Sequence, residues 1–214
     1  MLEVKALQAS IGTALILRQV ELAVPSGSLS GLIGRNGAGK TTLMRCVMGL
    51  LPSATGAIGF DGADLTHLDS HLRAGMGIGY MPEDRRLVPD FTVEDNLLVP
   101  AWAVRHADAA ERLEWVYGLM PEVRDFRSRR ANQLSGGQQK LVALARALMA
   151  GRKLLLLDEP FEGVAPALAN RLADVLANLK GTGVTLLIAE SNEKHIAHLL
   201  TEMHVIERGS VRRA

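Results

Sequence analysis

The chain has 214 residues, 48% of them hydrophobic and 22% charged. That suits one globular domain, or one domain with a lobe, and is long enough to bury a sizeable core. A net charge of +1 gives no electrostatic case for nucleic acid as a partner, the single cysteine Cys46 excludes an intrachain disulfide, and the longest apolar runs, 154–157 and 184–189, are far too short to span a bilayer.

Residues 1–5 show no basic stretch leading into an apolar one, so no secretory leader is expected there. Residues 2–9 and 15–24 read as strands, the second closing on the Pro25-Ser26-Gly27 turn. Leu29-Ser30-Gly31-Leu32-Ile33 is a short apolar strand. It runs into Gly34-Arg35-Asn36-Gly37-Ala38-Gly39-Lys40-Thr41-Thr42, which fits the pattern of glycine, four residues, then Gly-Lys-Thr. Residues 43–48 begin a helix that ends near Gly49. Strand, glycine loop and helix together make the string a phosphate site. The glycines let the backbone bring its N–H groups close to phosphate oxygens, and the helix N-terminus adds partial positive charge. Lys40 is placed to reach the β- and γ-phosphates of a nucleotide, and the Thr41 hydroxyl to ligate Mg²⁺. The bland alternative is a glycine-rich turn with a solvated lysine.

Residues 52–56 read as a loop, and 57–60 as a short strand before the Asp61-Gly62 turn. These early strands join through tight turns, so an antiparallel sheet beside the nucleotide is expected. Residues 77–81 form a further short strand, stopped by Pro82. Thr92-Val93-Glu94-Asp95 resembles a capping box opening a helix over 96–102. A second helix covers 107–119, with Leu113, Val116 and Met120 at helical spacing, and 124–130 is a charged connector. Residues 93–150 thus read as a helical lobe inserted into an α/β core made of 1–92 and 151–214. A long helix follows Ser135-Gly136-Gly137 to Ala150, with Leu141, Leu144, Ala145 and Leu148 as its apolar stripe. Then come a strand over 154–157, a helix over 168–180 capped by Gly181 or Gly183, a strand over 184–189 and a helix over 193–200. A final hairpin, 203–207 and 210–213, turns at Arg208-Gly209. The alternation in the second half implies right-handed crossovers and a parallel sheet.

The strand 154–157 delivers Asp158 and Glu159 to the C-terminal edge of that sheet, where ligands sit in such folds. Neighbouring side chains of a strand point to opposite faces, so the two acids should have different tasks. Asp158 is expected to hold Mg²⁺ and Glu159 to polarise the water that attacks the γ-phosphate; alone, the pair would read as strand-end surface acids. Leu134-Ser135-Gly136-Gly137-Gln138-Gln139 opens a helix, and two readings stay open on the residues alone: an anion site, or a plain N-cap.

Residues 34–42, 134–138 and 154–159, in this order and spacing, resemble the nucleotide-binding domain of ATP-binding cassette (ABC) proteins over essentially the whole chain. The resemblance implies an α/β P-loop NTPase (RecA-like) core with a parallel sheet, an N-terminal antiparallel β subdomain and an inserted helical subdomain. It implies ATP and Mg²⁺ as cofactors. Gly34, Asn36, Gly37, Ala38, Gly39, Lys40, Thr41 and Thr42 would bind this chain's ATP, while Ser135, Gly136, Gly137 and Gln138 would meet the γ-phosphate of ATP held by another subunit. The implied assembly is a head-to-tail dimer that ATP closes and hydrolysis reopens.

Finer motifs resemble the shorter ATPase subunit of branched-chain amino acid importers: Met81-Pro82-Glu83-Asp84-Arg85-Arg86, Phe91-Thr92-Val93-Glu94-Asp95-Asn96-Leu97, Gly163-Val164-Ala165-Pro166 and Glu190-Ser191-Asn192. In that branch the residue at Glu83 approaches Mg²⁺ and water, and its loop lines the groove where a permease docks. Residues 83–102 are therefore the candidate permease contact, against a lobe-to-core hinge with no partner. The implied partners are transmembrane permeases, a second ATPase subunit and, indirectly, a periplasmic solute-binding protein; the implied location is the cytoplasmic face of the inner membrane. Related systems carry urea, short amides or aromatic breakdown products, so the solute does not follow.

The chain departs from the family at two site positions. Ile11 stands where an aromatic residue usually stacks on adenine, a loss of about 1 kcal/mol that predicts weak base discrimination. Ser191 stands where a switch histidine usually sits; serine is shorter and carries no charge, so it is expected to reach the γ-phosphate through water and to slow hydrolysis. His195, one helical turn on, is expected to face solvent, and His67, His71, His106, His198 and His204 show no metal spacing. Family members also carry a further segment after the position of Ala214. The catalytic set is thus Glu159, Lys40 and Ser191, and the metal set Thr41, Glu83 and Asp158. The function read from it is ATP hydrolysis driving solute uptake. The alternatives are an ATP-dependent dimerisation module with weak hydrolysis and a non-transport ABC ATPase of DNA repair or translation; a P-loop kinase has no need of residues 134–138.

Overall fold

Alternation of buried and exposed side chains builds the first hairpin of the computed structural model, which describes residues 1–53, 55–104 and 107–214 and so leaves out Ala54, Arg105 and His106. Strands β1 (Leu2–Ile11) and β2 (Ala14–Val24) pair antiparallel from Leu2 with Val24 to Ile11 with Ala14. β3 (Leu29–Ile33) leaves this sheet for a second one, and the glycine loop and α1 (Lys40–Val47) follow it. β4 (Thr55–Phe60) and β5 (Ala63–Asp64) return to the first sheet, whose order is β2-β1-β4-β5, antiparallel throughout. Then come α2 (Ser70–Gly75), β6 (Ile78–Met81), α3 (Val93–Val104), α4 (Ala109–Leu119), α5 (Pro121–Asp125), α6 (Gly136–Ala150), β7 (Leu154–Asp158), α7 (Pro166–Asn178), β8 (Thr185–Glu190), β9 (Glu202–Glu207) and β10 (Ser210–Arg213).

The second sheet has the order β10-β9-β3-β8-β7-β6. Every pair is parallel except the β9–β10 hairpin. β7 and β8 are buried along their full length, as a parallel strand covered on both faces must be. Their side chains serve two cores in turn. Leu155, Leu157, Leu186 and Ile188 join helices α3 to α7 on one face, while Leu154, Leu156, Leu187 and Ala189 meet α1 and the first sheet on the other. Parallel pairing also sets the site. Ile33 lies beside Glu190, Asp158 beside Ala189 and Met81 beside Leu157, so four strand ends open on one edge.

Both expected helix starts form as read. Thr92 Oγ1 accepts from Asp95 N–H at 3.0 Å and Asp95 Oδ2 accepts from Thr92 N–H at 3.2 Å, closing a capping box with aspartate in the third position. α6 spans the expected residues, and all four stripe residues are buried. Several boundaries differ. β3 belongs to the parallel sheet, not to an antiparallel set of early strands. β4 starts at Thr55, inside the expected loop. α3 runs past 102 to Val104, the charged connector starts inside α5, and α7 opens at Pro166, where proline suits a first turn. α2 and β5 were not anticipated. The expected helix over 193–200 does not form. Ile196 and Ala197 N–H both donate to Glu193 O, and Leu199 and Leu200 to Ile196 O, giving separate turns. Buried Ile196 and Leu199 and a His195–Phe161 stack anchor the segment.

Candidate functional site

The glycine loop packs against the last hairpin. A Cβ on Gly34 would lie 2.4 Å from Ile206 O, so only glycine fits. Gly37 and Gly39 hold φ of 79° and 112°, in the left-handed half of the map. Gly39 caps α1 with no side chain, which leaves the first N–H groups free for an anion. Lys40 Nζ donates to Gly34 O at 2.6 Å and to Arg35 O at 3.3 Å, and lies 2.9 Å from Glu159 Oε1. Residues 34–38, Ser191 and Arg208 line a cavity of about 600 Å³, ample for a nucleotide.

The metal set comes together. Thr41, Glu83 and Asp158 line one cleft of about 160 Å³, with Tyr80 donating its hydroxyl to Asp158 Oδ2 at 3.3 Å. Asp158 Oδ1 and Glu159 Oε2 are buried and have no hydrogen-bond partner among the described residues. Such orphaned carboxylate oxygens mark a place that something else completes. Among the described residues no group of three or more His, Cys, Asp or Glu is arranged to hold a metal alone. One hydroxyl and carboxylates, completed by phosphate oxygens and water, is the donor set Mg²⁺ takes, so the residues fit it. Burial pushes the Asp158 carboxyl up, against the lowering effect of the Thr41 and Tyr80 hydroxyls. Burial and the Glu162 and Asp158 carboxylates push Glu83 up as well.

Asp158 and Glu159 do separate, though not by strand alternation. Glu159 N–H still bonds Ala189 O at 2.9 Å, but its φ of 50° reverses the chain and sends the carboxylate to Lys40. Ser191 is exposed at the loop cavity. Ile11 is 50% exposed at the tip of the β1–β2 hairpin; Leu15 and Ile16, rather than Ile11, share a cleft with Gly37 and Arg208. Ser135 caps α6, accepting from Gln138 N–H at 3.3 Å while Gln138 Oε1 accepts from Ser135 N–H at 3.0 Å. It is exposed with Gly136, and Gly137 and Gln138 are half-buried; none of the four lines the loop cavity or the Asp158 cleft. His195 does not face solvent: it is half-buried and stacks on Phe161 at 5.4 Å. Cys46 is a packed core residue, its thiol pushed up to about 11 by burial.

Three residues escaped the sequence reading. Tyr80 orients Asp158. Lys140 is buried and bonds the backbone of the Glu159 turn. Glu190 is buried beside it and accepts from Phe161 N–H at 2.9 Å, its carboxyl pushed up to about 7 chiefly by burial. Lys140 had a signal: it stands four residues before Leu144, on the buried side of the helix.

The ABC transporter family model matches residues 17–162. The high-affinity branched-chain amino acid transport ATP-binding protein BraG of Pseudomonas aeruginosa is 35% identical over 195 residues, 91% of this chain and 84% of that protein. The lipopolysaccharide export system ATP-binding protein LptB of Escherichia coli is 34% identical over 203 residues, 91% of this chain and 84% of that protein. A solved nucleotide-free ATP-binding cassette from an ABC transporter superposes with a TM-score of 0.85 at 27% identity, covering 99% of this chain and 89% of that one.

Proposed function

The chain belongs to the ABC transporter family as an ATP-hydrolysing subunit, and we propose that it drives an importer of branched-chain amino acids or similar small polar solutes. The observation that carries the ATPase chemistry is the meeting of Lys40, Glu159 and the orphaned Asp158 oxygen at one strand edge. The γ-phosphate draws Lys40 away from Gly34 O and from Glu159. Thr41 and Asp158, with Glu83 nearby, would hold Mg²⁺, which neutralises phosphate charge. Glu159, freed of its partner, takes the proton of the attacking water as its oxygen bonds the γ-phosphorus and the bond to the β-phosphate oxygen breaks. Ser191 steadies the γ-phosphate through water. Ser135, Gly136, Gly137 and Gln138 close over the ATP of a second ATPase subunit, because they stand apart from this chain's own loop cavity.

Residues 93–150 act as a helical subdomain in this reading, and the permeases dock at 83–102, where Val88, Phe91 and Trp102 are exposed. Among the described residues no helix is long and apolar enough to cross a membrane, so the solute's path belongs to those permeases. Import rests on the motifs around Glu83 and Glu190, and the solute class on them and on BraG, a branched-chain amino acid transport protein by name. The near-equal likeness to LptB supports a second reading, an exporter ATPase. Proteoliposomes holding the chain with its permeases separate the two. ATP-driven movement of leucine toward the ATPase side is the expected result; movement only away from it would leave the exporter.

A further inference from the structure

We propose that Lys140 is a positioning residue that clamps the turn bearing Glu159 and links that turn to the N-terminus of α6. Lys140 stands one helical turn after Gly136 and is 6% exposed. Its ammonium donates to two main-chain oxygens of the turn, Glu159 O at 2.9 Å and Glu162 O at 2.5 Å. On the other side of the turn, Glu190 Oε1 accepts from Phe161 N–H at 2.9 Å. Glu162 N–H to Glu159 O, at 3.2 Å, closes the turn itself. The turn needs holding, because Glu159 sits at a φ of 50°, which a residue with a side chain keeps only where its surroundings impose it. A buried cation on two carbonyls is a strong, charge-assisted tie. Burial pulls the ammonium down, but the Glu190 and Glu162 carboxylates oppose this and favour the charged form.

The tie has a direction. Lys140 moves with α6, and α6 begins at Ser135, Gly136 and Gly137. When that N-terminus seats on the ATP of a second chain, the shift reaches Glu159 O through one side chain and turns the carboxylate toward its own water. This inter-chain half rests on the head-to-tail dimer proposed above; the clamp itself does not.

Turnover of the purified full chain is compared for wild type, Lys140→Met and Lys140→Arg, with amide exchange over 159–163 followed with and without ATP and Mg²⁺. In Lys140→Met, kcat falls about tenfold or more while the KM for ATP stays within about threefold. Exchange over 159–163 rises about fivefold with β7 unchanged, and ATP slows it in wild type only. Lys140→Arg recovers about a third of kcat or more. Wild-type kcat in Lys140→Met, equal losses of kcat and ATP affinity, or no recovery by arginine overturns the clamp. If Lys140→Met does not fold, Lys140→Gln is held to the same criteria. Sedimentation of Glu159→Gln with ATP, Lys140 intact, tests the dimer separately: a monomer there removes the inter-chain half and leaves the clamp to be judged on kcat and exchange.

Discussion

Lys40 Nζ lies 2.9 Å from Glu159 Oε1, and the two side chains are only 4% and 7% exposed. The phosphate-binding cation and the base therefore hold each other before nucleotide arrives. A buried pair of this kind is costly to break from one side, because the remaining charge has no partner.

Removing the acid removes a competitor for Lys40. Glu159→Gln should bind ATP as tightly as wild type or tighter, while turnover falls roughly 10²–10⁴-fold for want of a general base. Lys40→Met should lose about 3–5 kcal/mol of stability, because Glu159 is left charged and buried, and the Lys40→Met/Glu159→Gln double variant should regain most of it. Urea unfolding of the four proteins, with fluorescent ATP binding, checks both halves. Additive losses in the double variant would mean that the pair is not coupled.

A second buried cation holds the fold. Arg73 NH1 donates to Cys46 O at 2.9 Å and Val47 O at 2.8 Å, and Arg73 Nε to Leu68 O at 2.8 Å. The first two are carbonyls of the last turn of α1, where backbone donors run short: Cys46 O also accepts from Gly49 N–H at 3.0 Å, and the guanidinium serves Val47 O as well. Gly49 lies against the guanidinium, where a Cβ would come within 2.8 Å of Nε. Arg73→Met should cost about 2–4 kcal/mol in thermal or urea unfolding, and Arg73→Lys should recover part, since one ammonium cannot replace the fork. Loss below about 0.5 kcal/mol in Arg73→Met would show that water takes over these carbonyls.

The parts legible in the sequence are those set by local chemistry. The glycine loop, the capping residues Thr92 and Ser135, the stripe of α6 and the all-apolar β7 follow from short-range pattern. The meeting of the loop with Asp158, Glu159 and Ser191 was legible too, since parallel strands share a C-terminal edge. What was not legible depends on residues far apart in the chain. α2 is fastened by the reach of Arg73 to α1, and β5 is two residues long. The turns over 193–200 are anchored by a stack on Phe161. The reversal at Glu159 is held by Lys140, and strand alternation could not foresee it.

Glu190 makes stability depend on pH. Its carboxyl moves from 4.5 in the unfolded chain to about 7 in the fold, chiefly through burial. Between those values the folded protein keeps a proton that the unfolded chain has lost, so stability falls as pH rises. The contribution is complete below about pH 4.5 and gone above about pH 7, on the order of 3 kcal/mol across the range. Glu190→Gln keeps an acceptor for Phe161 N–H and does not titrate. Asp158 and Glu83, also raised, and His204, lowered by burial, are common to both proteins, so the difference between wild type and variant isolates Glu190. Urea unfolding between about pH 5 and pH 8 should show that difference shrinking and then favouring the variant. A constant difference would place the carboxyl's titration elsewhere.

Ser191 offers the sharpest test of how the bound ATP is used. It directly follows Glu190 at the end of β8 and is exposed at the cavity that residues 34–38 line. A hydroxyl there reaches a phosphate only through water, whereas an imidazole is longer and presents an N–H donor at the γ-phosphate. His195 does not supply that donor, because its ring is half-buried against Phe161. Ser191→His should therefore raise turnover about threefold or more in the assembled complex, with ATP affinity nearly unchanged and, at an exposed position, stability within about 0.5 kcal/mol. The gain should also acquire a pH dependence near the ordinary histidine value of about 6.5, which Ser191→Gln would lack. Unchanged turnover in both variants would mean that the γ-phosphate is steadied from elsewhere. Arg208, which lines the same cavity, would then be the next side chain to replace.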